Sequence, residues 1–209
     1  MRRGISGAIL AATFVLLAAC DGGGGVAEQG DDSAFADCVE QAGLSLDGSE
    51  EWSEAEEREF LSQPAVLNCV VSDVPEDERA DLLARAFPDD GGDDEAADEA
   101  RVAKTEALVA YVSARADRPR DEVVADAAAL MDAFGWDDVD PWVGPRKQVA
   151  LAVVRADGGA AAYDAWLADT GREDDYEGRI DFVQEQETEG TPLADEVRAL
   201  ADDLRSAQA

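Results

Sequence analysis

The chain contains no histidine and only two lysines, Lys104 and Lys147, among its 209 residues. Without histidine, Ser-His-Asp and Cys-His catalysis, the usual zinc-ligand sets and the commonest general base near neutral pH are excluded. Neither lysine lies in a Ser-x-x-Lys motif or in a phosphate-binding Gly-x-x-x-x-Gly-Lys-Ser/Thr loop, and no Cys-x-x-Cys pair occurs. We therefore expect a protein that is not an enzyme and that uses neither a cofactor nor a metal.

Strand patterns are also missing from the sequence. No stretch alternates apolar and polar residues for long, and β-branched residues are sparse beside alanine. Apolar residues instead recur at helical spacing, as Phe35, Cys38, Val39 and Ala42 do before Gly43. We therefore predict an all-α fold, with a short helical segment followed by an Ala-rich helical bundle.

Several helix ends are marked by residues that satisfy the free backbone groups there. Ser53 and Glu56 have the spacing of a capping box, and Pro64 suits the first turn of the next helix. Gly135 is placed to end a helix, and Thr191 followed by Pro192 is placed to begin one. These residues predict short connections between successive helices.

The first twenty residues have the layout of an export signal. Arg2 and Arg3 are followed by an apolar run of 16 residues that ends at Cys20. A transmembrane helix needs roughly 20 apolar residues, so the run favours export over membrane spanning. The ordinary alternative is a secretory signal that happens to end in a cysteine.

The segment Leu17-Ala18-Ala19-Cys20 resembles the lipobox of bacterial lipoproteins, and the resemblance covers residues 1–21. It implies that residues 1–19 are a signal peptide and that Cys20 receives a diacylglycerol thioether and, after cleavage, an acyl chain on its amino group. Two or three acyl chains hold a protein firmly on a bilayer. The resemblance therefore implies a lipid anchor on the extracytoplasmic face of the cell membrane.

Residues 20–32 are rich in glycine and polar residues, which predicts a flexible tether. A coil of this length spans roughly 20 Å from end to end. We therefore expect the folded part to begin near Ser33, at some distance from the lipid headgroups.

Acidic residues dominate the charge of the chain. Loss of Arg2 and Arg3 with the leader leaves 15 basic residues against 49 acidic ones, a net charge of −34. Such a surface repels nucleic acid and anionic lipid headgroups, and the basic stripe of a nucleic-acid binder is absent. The expected partners are the membrane, through the N-terminal lipid, and an envelope protein with a basic surface.

Lipidation of Cys20 leaves an even pair of cysteines, Cys38 and Cys69, in an oxidising compartment. Both lie on apolar faces of predicted helices, which favours a disulfide between packed helices; a free reactive thiol is the alternative. Closing a loop of about 32 residues stabilises a fold by roughly 3 to 4 kcal/mol on the chain-entropy account.

The predicted folded part divides at an acidic stretch. Residues 33–88 form the helical segment that carries the disulfide, 89–95 form an acidic hinge and 96–207 form the helical bundle. The pattern leaves open whether the two helical parts are one domain or two.

One segment combines tryptophans with acids. It holds the candidate ligand-cleft residues Trp136, Asp137, Asp138, Asp140 and Trp142. Aromatic rings beside carboxylates bind cations and sugars through stacking, cation–π contact and charge. Loop tryptophans more often close the end of a helical core, so the structural role is the favoured interpretation.

We therefore expect a membrane-anchored lipoprotein that works as a binding or scaffolding module. Two alternatives use the abundant carboxylates: a carboxylate-dependent envelope hydrolase and a weak divalent-cation binder. With 49 acids in the chain, a pair of carboxylates by itself carries no signal. The EF-hand spacing also fails at residues 89–98 and around 137–140.

Overall fold

The computed structural model describes residues 31–88, 94–136 and 142–208. Across these ranges the regular elements are helices and there is no strand, which confirms the predicted all-α class. The α-helices, with a short 3-10 helix at Ser49–Glu51 after the first, are α1 Asp31–Gln41, α2 Glu54–Leu61, α3 Pro64–Asp73, α4 Glu76–Ala86, α5 Asp94–Ser113, α6 Arg120–Ala133, α7 Val143–Ala156, α8 Ala161–Thr170, α9 Tyr176–Glu189 and α10 Pro192–Ala207.

The signals for helix ends work as the sequence predicts. Ser53 accepts a hydrogen bond from the backbone of Glu56, whose side chain accepts one from the backbone of Ser53 in return. Thr191 accepts a hydrogen bond from the N–H of Ala194 at the start of α10. Gly135 adopts a φ of 72°, which side chains rarely tolerate, in the turn after α6. Local sequence therefore determines where these helices begin and end.

Two helices organise the interior. α7 lies at the centre of the C-terminal bundle, where it packs against α5, α6, α9 and α10, and its residues from Pro145 to Val154 are buried except for Lys147. α3 takes the equivalent place in the N-terminal part, with α1, α2, α4, α5 and α6 around it. Both helices carry a run of apolar residues wide enough to contact neighbours on several sides, which suits a central position.

The two predicted helical parts share one core. The ring of Phe87, at the end of α4, meets the ring of Phe134 edge-on at a centroid distance of 5.0 Å. Buried side chains continue from α3 and α4 into α5 and α6 without a break. The packing of residues 33–88 on residues 96–207 is therefore continuous in this structure.

Some predicted segments lie outside the described residues. These are the signal peptide, Cys20, most of the tether and residues 89–93 of the acidic hinge. The described helices begin close to the predicted borders, at Asp31 for α1 and at Asp94 for α5. None of the helices in the described ranges is long and apolar enough to cross a membrane.

Candidate functional site

The predicted disulfide is present. The sulfurs of Cys38 and Cys69 are 2.04 Å apart, and the bond joins α1 to α3 with a Cα–Cα distance of 5.7 Å. Cys69 is buried at 1% exposure, whereas Cys38 is half-buried. The bond therefore connects a surface helix to the interior.

Trp136 and Trp142, which flank the acidic residues of the candidate cleft, stack on each other. Their ring centroids are 4.8 Å apart and their planes differ by 19°. Trp136 is 3% exposed, and Trp142 is half-buried. Asp137, Asp138 and Asp140 lie outside the described residues, so an acidic and aromatic cleft made by all five side chains stays a prediction.

Lys104 occupies the cation position beside this tryptophan pair. Its Nζ lies 5.9 Å from the ring centroid of Trp142 and donates a hydrogen bond of 3.1 Å to the carbonyl oxygen of Phe134. The lysine itself is 2% exposed. One face of Trp142 thus already holds a cation of the chain, and a cationic ligand there would have to displace Lys104.

A second polar cluster surrounds the buried Arg179 of α9, which is 2% exposed. Its Nε donates to Oε1 of Gln148 at 3.0 Å, and its Nη1 donates to Oδ1 of Asp174 at 3.0 Å. Its Nη2 pairs with the carboxylate of Glu106. One guanidinium therefore ties α5, α7 and α9 to the loop before α9, in the fork geometry that suits arginine.

Two further side chains contact the carboxylate of Asp174. The hydroxyl of Tyr163 donates to Oδ1 of Asp174 at 2.9 Å, and Arg155 pairs with the other carboxylate oxygen. Arg155 also pairs with Asp164 at 2.8 Å, which links α7 to α8. Two arginines and a tyrosine thus converge on one partly exposed carboxylate.

The ionisation of the cluster follows from these contacts. Burial alone would raise the pKa of Asp174, but hydrogen bonds from Tyr163, Arg155 and Arg179 outweigh it and hold the pKa below its usual range. Burial and the hydrogen bond to Asp174 raise the pKa of Tyr163, so the phenol stays a donor. A general acid needs a raised carboxyl pKa. Asp174 therefore has the character of a structural ion-pair partner.

Sequence reasoning missed Arg179. The helical pattern places Tyr176, Ile180 and Val183 on the apolar face of α9, whereas the structure buries Arg179 with Phe182 and Val183 and leaves Ile180 half-buried. A sequence pattern assigns an arginine to the surface, because arginine is seldom buried without partners and the sequence does not show them. Its spacing of three residues from Phe182 is the one hint in the sequence.

Gly178 allows the loop before α9 to lie close to the helix. An added Cβ would be 2.4 Å from the carbonyl oxygen of Glu173. We expect Gly178→Ala to lower the free energy of unfolding by about 1 to 3 kcal/mol, because the loop beside Asp174 would have to shift. Urea denaturation measures the change.

Gly144 in α7 is the matched control for Gly178. No atom of the described residues lies within 4 Å of a Cβ added there, apart from the chain neighbours and local helix backbone. Gly144→Ala should therefore stabilise the protein by about 0.4 to 1 kcal/mol. The same loss of stability at both glycines would contradict the role given to Gly178.

The surface of the protein is acidic because acidic residues far outnumber basic ones, and the basic residues are already engaged within the chain. Each of the 15 basic residues from Arg58 to Arg205 contacts a carboxylate, a carbonyl or amide oxygen, or an aromatic ring. Acidic residues outnumber them by more than three to one, so most carboxylates have no cation within the chain to pair with. Residues 31–57 include ten acidic residues and no basic one.

This excess of negative charge predicts a dependence of stability on salt. Raising sodium chloride from about 0.01 to 1 M shortens the screening length from roughly 30 to 3 Å and weakens the repulsion among carboxylates. We expect the free energy of unfolding to rise by about 1 kcal/mol or more, a shift of at least about 3 °C in Tm. Calorimetry at fixed pH measures it. A Tm that falls with salt would mean that the ion pairs outweigh the repulsion.

The acidic residues that the structure describes do not assemble a metal centre. Within residues 31–88, 94–136 and 142–208, no three or more acidic or cysteine side chains are placed to hold a metal ion. A shallow apolar depression between α9 and α10, lined by Phe182, Val183, Leu193 and Val197 among others, is too small for a water molecule.

Comparison with known proteins adds no relative. No family model, no curated protein and no solved structure matches the chain.

Proposed function

We propose that the chain is a lipid-anchored helical module on the extracytoplasmic face of the cell membrane, which acts by binding a partner with a basic surface. The observation that carries the proposal is the state of the cysteines. Cys38 and Cys69 are joined in a disulfide, which leaves Cys20 as the single remaining thiol of the chain.

The location is supported by two independent features. Disulfides persist in oxidising compartments outside the cytoplasm, and the Cys38–Cys69 bond fits such a place. Cys20 stands at the end of an apolar leader with small residues before it, where lipoprotein processing requires its thiol. Export and lipidation therefore account for all three cysteines.

The test of the anchor is Cys20→Ser, expressed in a bacterium with the lipoprotein pathway. We expect the unaltered protein in the membrane fraction, with acyl groups on residue 20 detected by mass spectrometry. The variant should carry no acyl group and should keep its leader, because the pathway cleaves only after the thiol is modified. Loss of the acyl chains removes about 0.8 kcal/mol of membrane affinity per buried CH₂. Because the retained leader is itself apolar, the acyl group on residue 20, and not the membrane fraction, is the deciding measurement.

The control for the anchor removes the other two cysteines. Cys38→Ala/Cys69→Ala should still be acylated at Cys20 and should remain in the membrane fraction. An unaltered protein that is cleaved but carries no acyl group at residue 20 would refute the lipid anchor.

The kind of partner is supported by the character of the surface. Among the large apolar residues whose exposure is described, Val143 is the one that is strongly exposed, at 40%. The described surface therefore offers little apolar area for contact with a partner, whereas carboxylates without a cation in the chain are abundant. Complementary charge speeds association and selects partners, so a basic partner fits best.

The test of the partner is a capture experiment with the mature protein on the surface of vesicles. Envelope extract is passed over it at about 0.05 and 0.5 M salt, and bound proteins are identified. We expect basic proteins that bind at low salt and elute at high salt, because screening removes the attraction. Vesicles that carry no protein are the control. Recovery of nothing above that control, or only of acidic proteins, would refute a basic partner.

A further inference from the structure

We propose that the Cys38–Cys69 disulfide is a redox switch: it holds α1 against α3, and its reduction by a dithiol releases α1 while the rest of the helical body stays folded. The release itself is a property of the fold. Its consequence at a membrane rests on the proposed lipid anchor.

Side-chain burial holds α1 only weakly. Among the α1 side chains whose exposure is described, Val39 alone is fully buried, at 1% exposure. Phe35 and Cys38 are half-buried against the core, and Asp37 and Glu40 are exposed. One fully buried and two half-buried apolar side chains are a small contribution to the docking of a whole helix.

Charge gives α1 no additional hold. Its described acidic side chains, Asp37 and Glu40, have no ion-pair partner among the described residues, and residues 31–57 contain no basic residue. Glu40 lies in the last turn, where the helix dipole disfavours an anion. Isolated helices shorter than roughly 12 to 15 residues are marginal in water, and α1 has 11. The covalent bond is therefore the main restraint on α1.

The other end of the bond is firmly placed. Val66, Leu67 and Val70 of α3 are fully buried, and α3 packs against α2, α4, α5 and α6 as well as α1. Loss of the disulfide leaves the contacts of α3 with α2, α4, α5 and α6 in place. The asymmetry between a loosely held surface helix and a fixed central helix makes the bond a switch for α1 alone.

The reduction is a thiol–disulfide exchange. A thiolate of the dithiol attacks the sulfur of Cys38, the more exposed of the two, and the sulfur of Cys69 leaves and takes up a proton. The second thiol of the reductant then attacks the mixed disulfide, which frees Cys38 as a thiol. Two electrons reduce the protein disulfide, and the dithiol ends as its own disulfide.

At a membrane, the release of α1 changes the reach of the anchor. α1 is the first helix of the described chain, 11 residues after Cys20. Once undocked, it adds its own length to the tether, at up to about 3.3 to 3.6 Å per residue when extended. Reduction would then let the acidic body move farther from the bilayer.

The test uses the intact protein in detergent solution, so that it does not depend on whether the chain is anchored. Hydrogen exchange is compared before and after reduction with dithiothreitol. We expect the amides of α1 to exchange at least about 100-fold faster after reduction, with those of α7 unchanged within about threefold. After reduction, Cys69 should also react with iodoacetamide at a rate within about threefold of that of Cys38, because the released α1 no longer shields it from solvent.

Two variants separate the bond from the burial. Cys38→Ala/Cys69→Ala should show fast exchange in α1 without any reductant. Val39→Ala with the disulfide intact should speed α1 exchange by no more than about 20-fold, well short of the effect of reduction. The proposal is overturned if α1 stays protected after reduction, if α7 loses protection together with α1, or if Val39→Ala frees α1 as fully as reduction does.

Discussion

Replacement of Arg179 with methionine should lower the free energy of unfolding by about 2 to 4 kcal/mol, which is the largest effect expected for a charged residue in this protein. Methionine fills much of the same volume but donates no hydrogen bond. It would leave Oε1 of the fully buried Gln148 without its donor and the carboxylates of Glu106 and Asp174 without their shared cation. The two carboxylates are partly exposed, so water compensates for some of the loss.

The measurement for Arg179→Met is thermal unfolding followed by circular dichroism. A loss of this size corresponds to a fall of roughly 5 to 15 °C in Tm for a chain of this length. Arg172→Met is the matched control, because Arg172 pairs with Asp181 on the surface and is half exposed. It should change stability by no more than about 0.5 kcal/mol. Equal effects at both positions would mean that the buried cluster has no special role.

The effect of Arg179→Met on the free energy of unfolding should also depend on pH, which is a second test of the same cluster. The folded pKa of Asp174 lies below the unfolded one, so its ionised form stabilises the fold above the unfolded pKa. That stabilisation is lost as the pH falls through the folded pKa. The difference in the free energy of unfolding between the unaltered protein and Arg179→Met should therefore become smaller in strong acid.

Replacement of Trp136 with alanine should cost about 3 to 5 kcal/mol, as deletions of large buried aromatic residues do. Its ring is 3% exposed and stacks on Trp142, beside the buried Lys104. Its carbonyl oxygen accepts a hydrogen bond of 2.9 Å from Gln208 at the end of α10. The deletion would empty the place where α6, α7 and α10 meet.

The control for Trp136→Ala is Trp166→Ala, because Trp166 is only half-buried and its Nε1 donates to the exposed carboxylate of Glu185. We expect a loss of about 1 to 2 kcal/mol there, and Trp136→Phe should lose less than Trp136→Ala. Urea denaturation measures all three. If Trp136→Ala costs less than Trp166→Ala, Trp136 is not a core residue and the ligand-cleft interpretation gains support. Tryptophan fluorescence titrated with polyamines and oligosaccharides then tests that cleft directly.

The helices and most of their ends were accessible from the sequence because their causes are local. Ser53 with Glu56, and Thr191 with Pro192, satisfy backbone groups a few residues away. The disulfide was also predictable, since two cysteines on apolar helix faces remain once the third is assigned to lipid. None of these inferences required knowledge of which helices are neighbours.

The polar clusters were not accessible, because their partners are distant in the chain. Arg179 meets Glu106 across 73 residues and Gln148 across 31. Lys104 meets the carbonyl of Phe134 across 30 residues. A buried cation is stable only when such partners surround it, and periodicity alone assigns it to the surface. The sequence identified the segment that contains Trp136 and Trp142, but it did not predict that the two rings stack on each other.

The amino-acid sequence by itself determined the helical class, the helix ends, the acidic balance and the pairing of Cys38 with Cys69. Each of these depends on composition or on neighbours along the chain. Only the tertiary structure decided that α3 and α7 are central, that Arg179 and Lys104 are buried, and that the disulfide joins α1 to the central helix α3. The physical reason is that burial and charge pairing depend on which surfaces meet, and helical periodicity gives the apolar face of each helix without naming its neighbour.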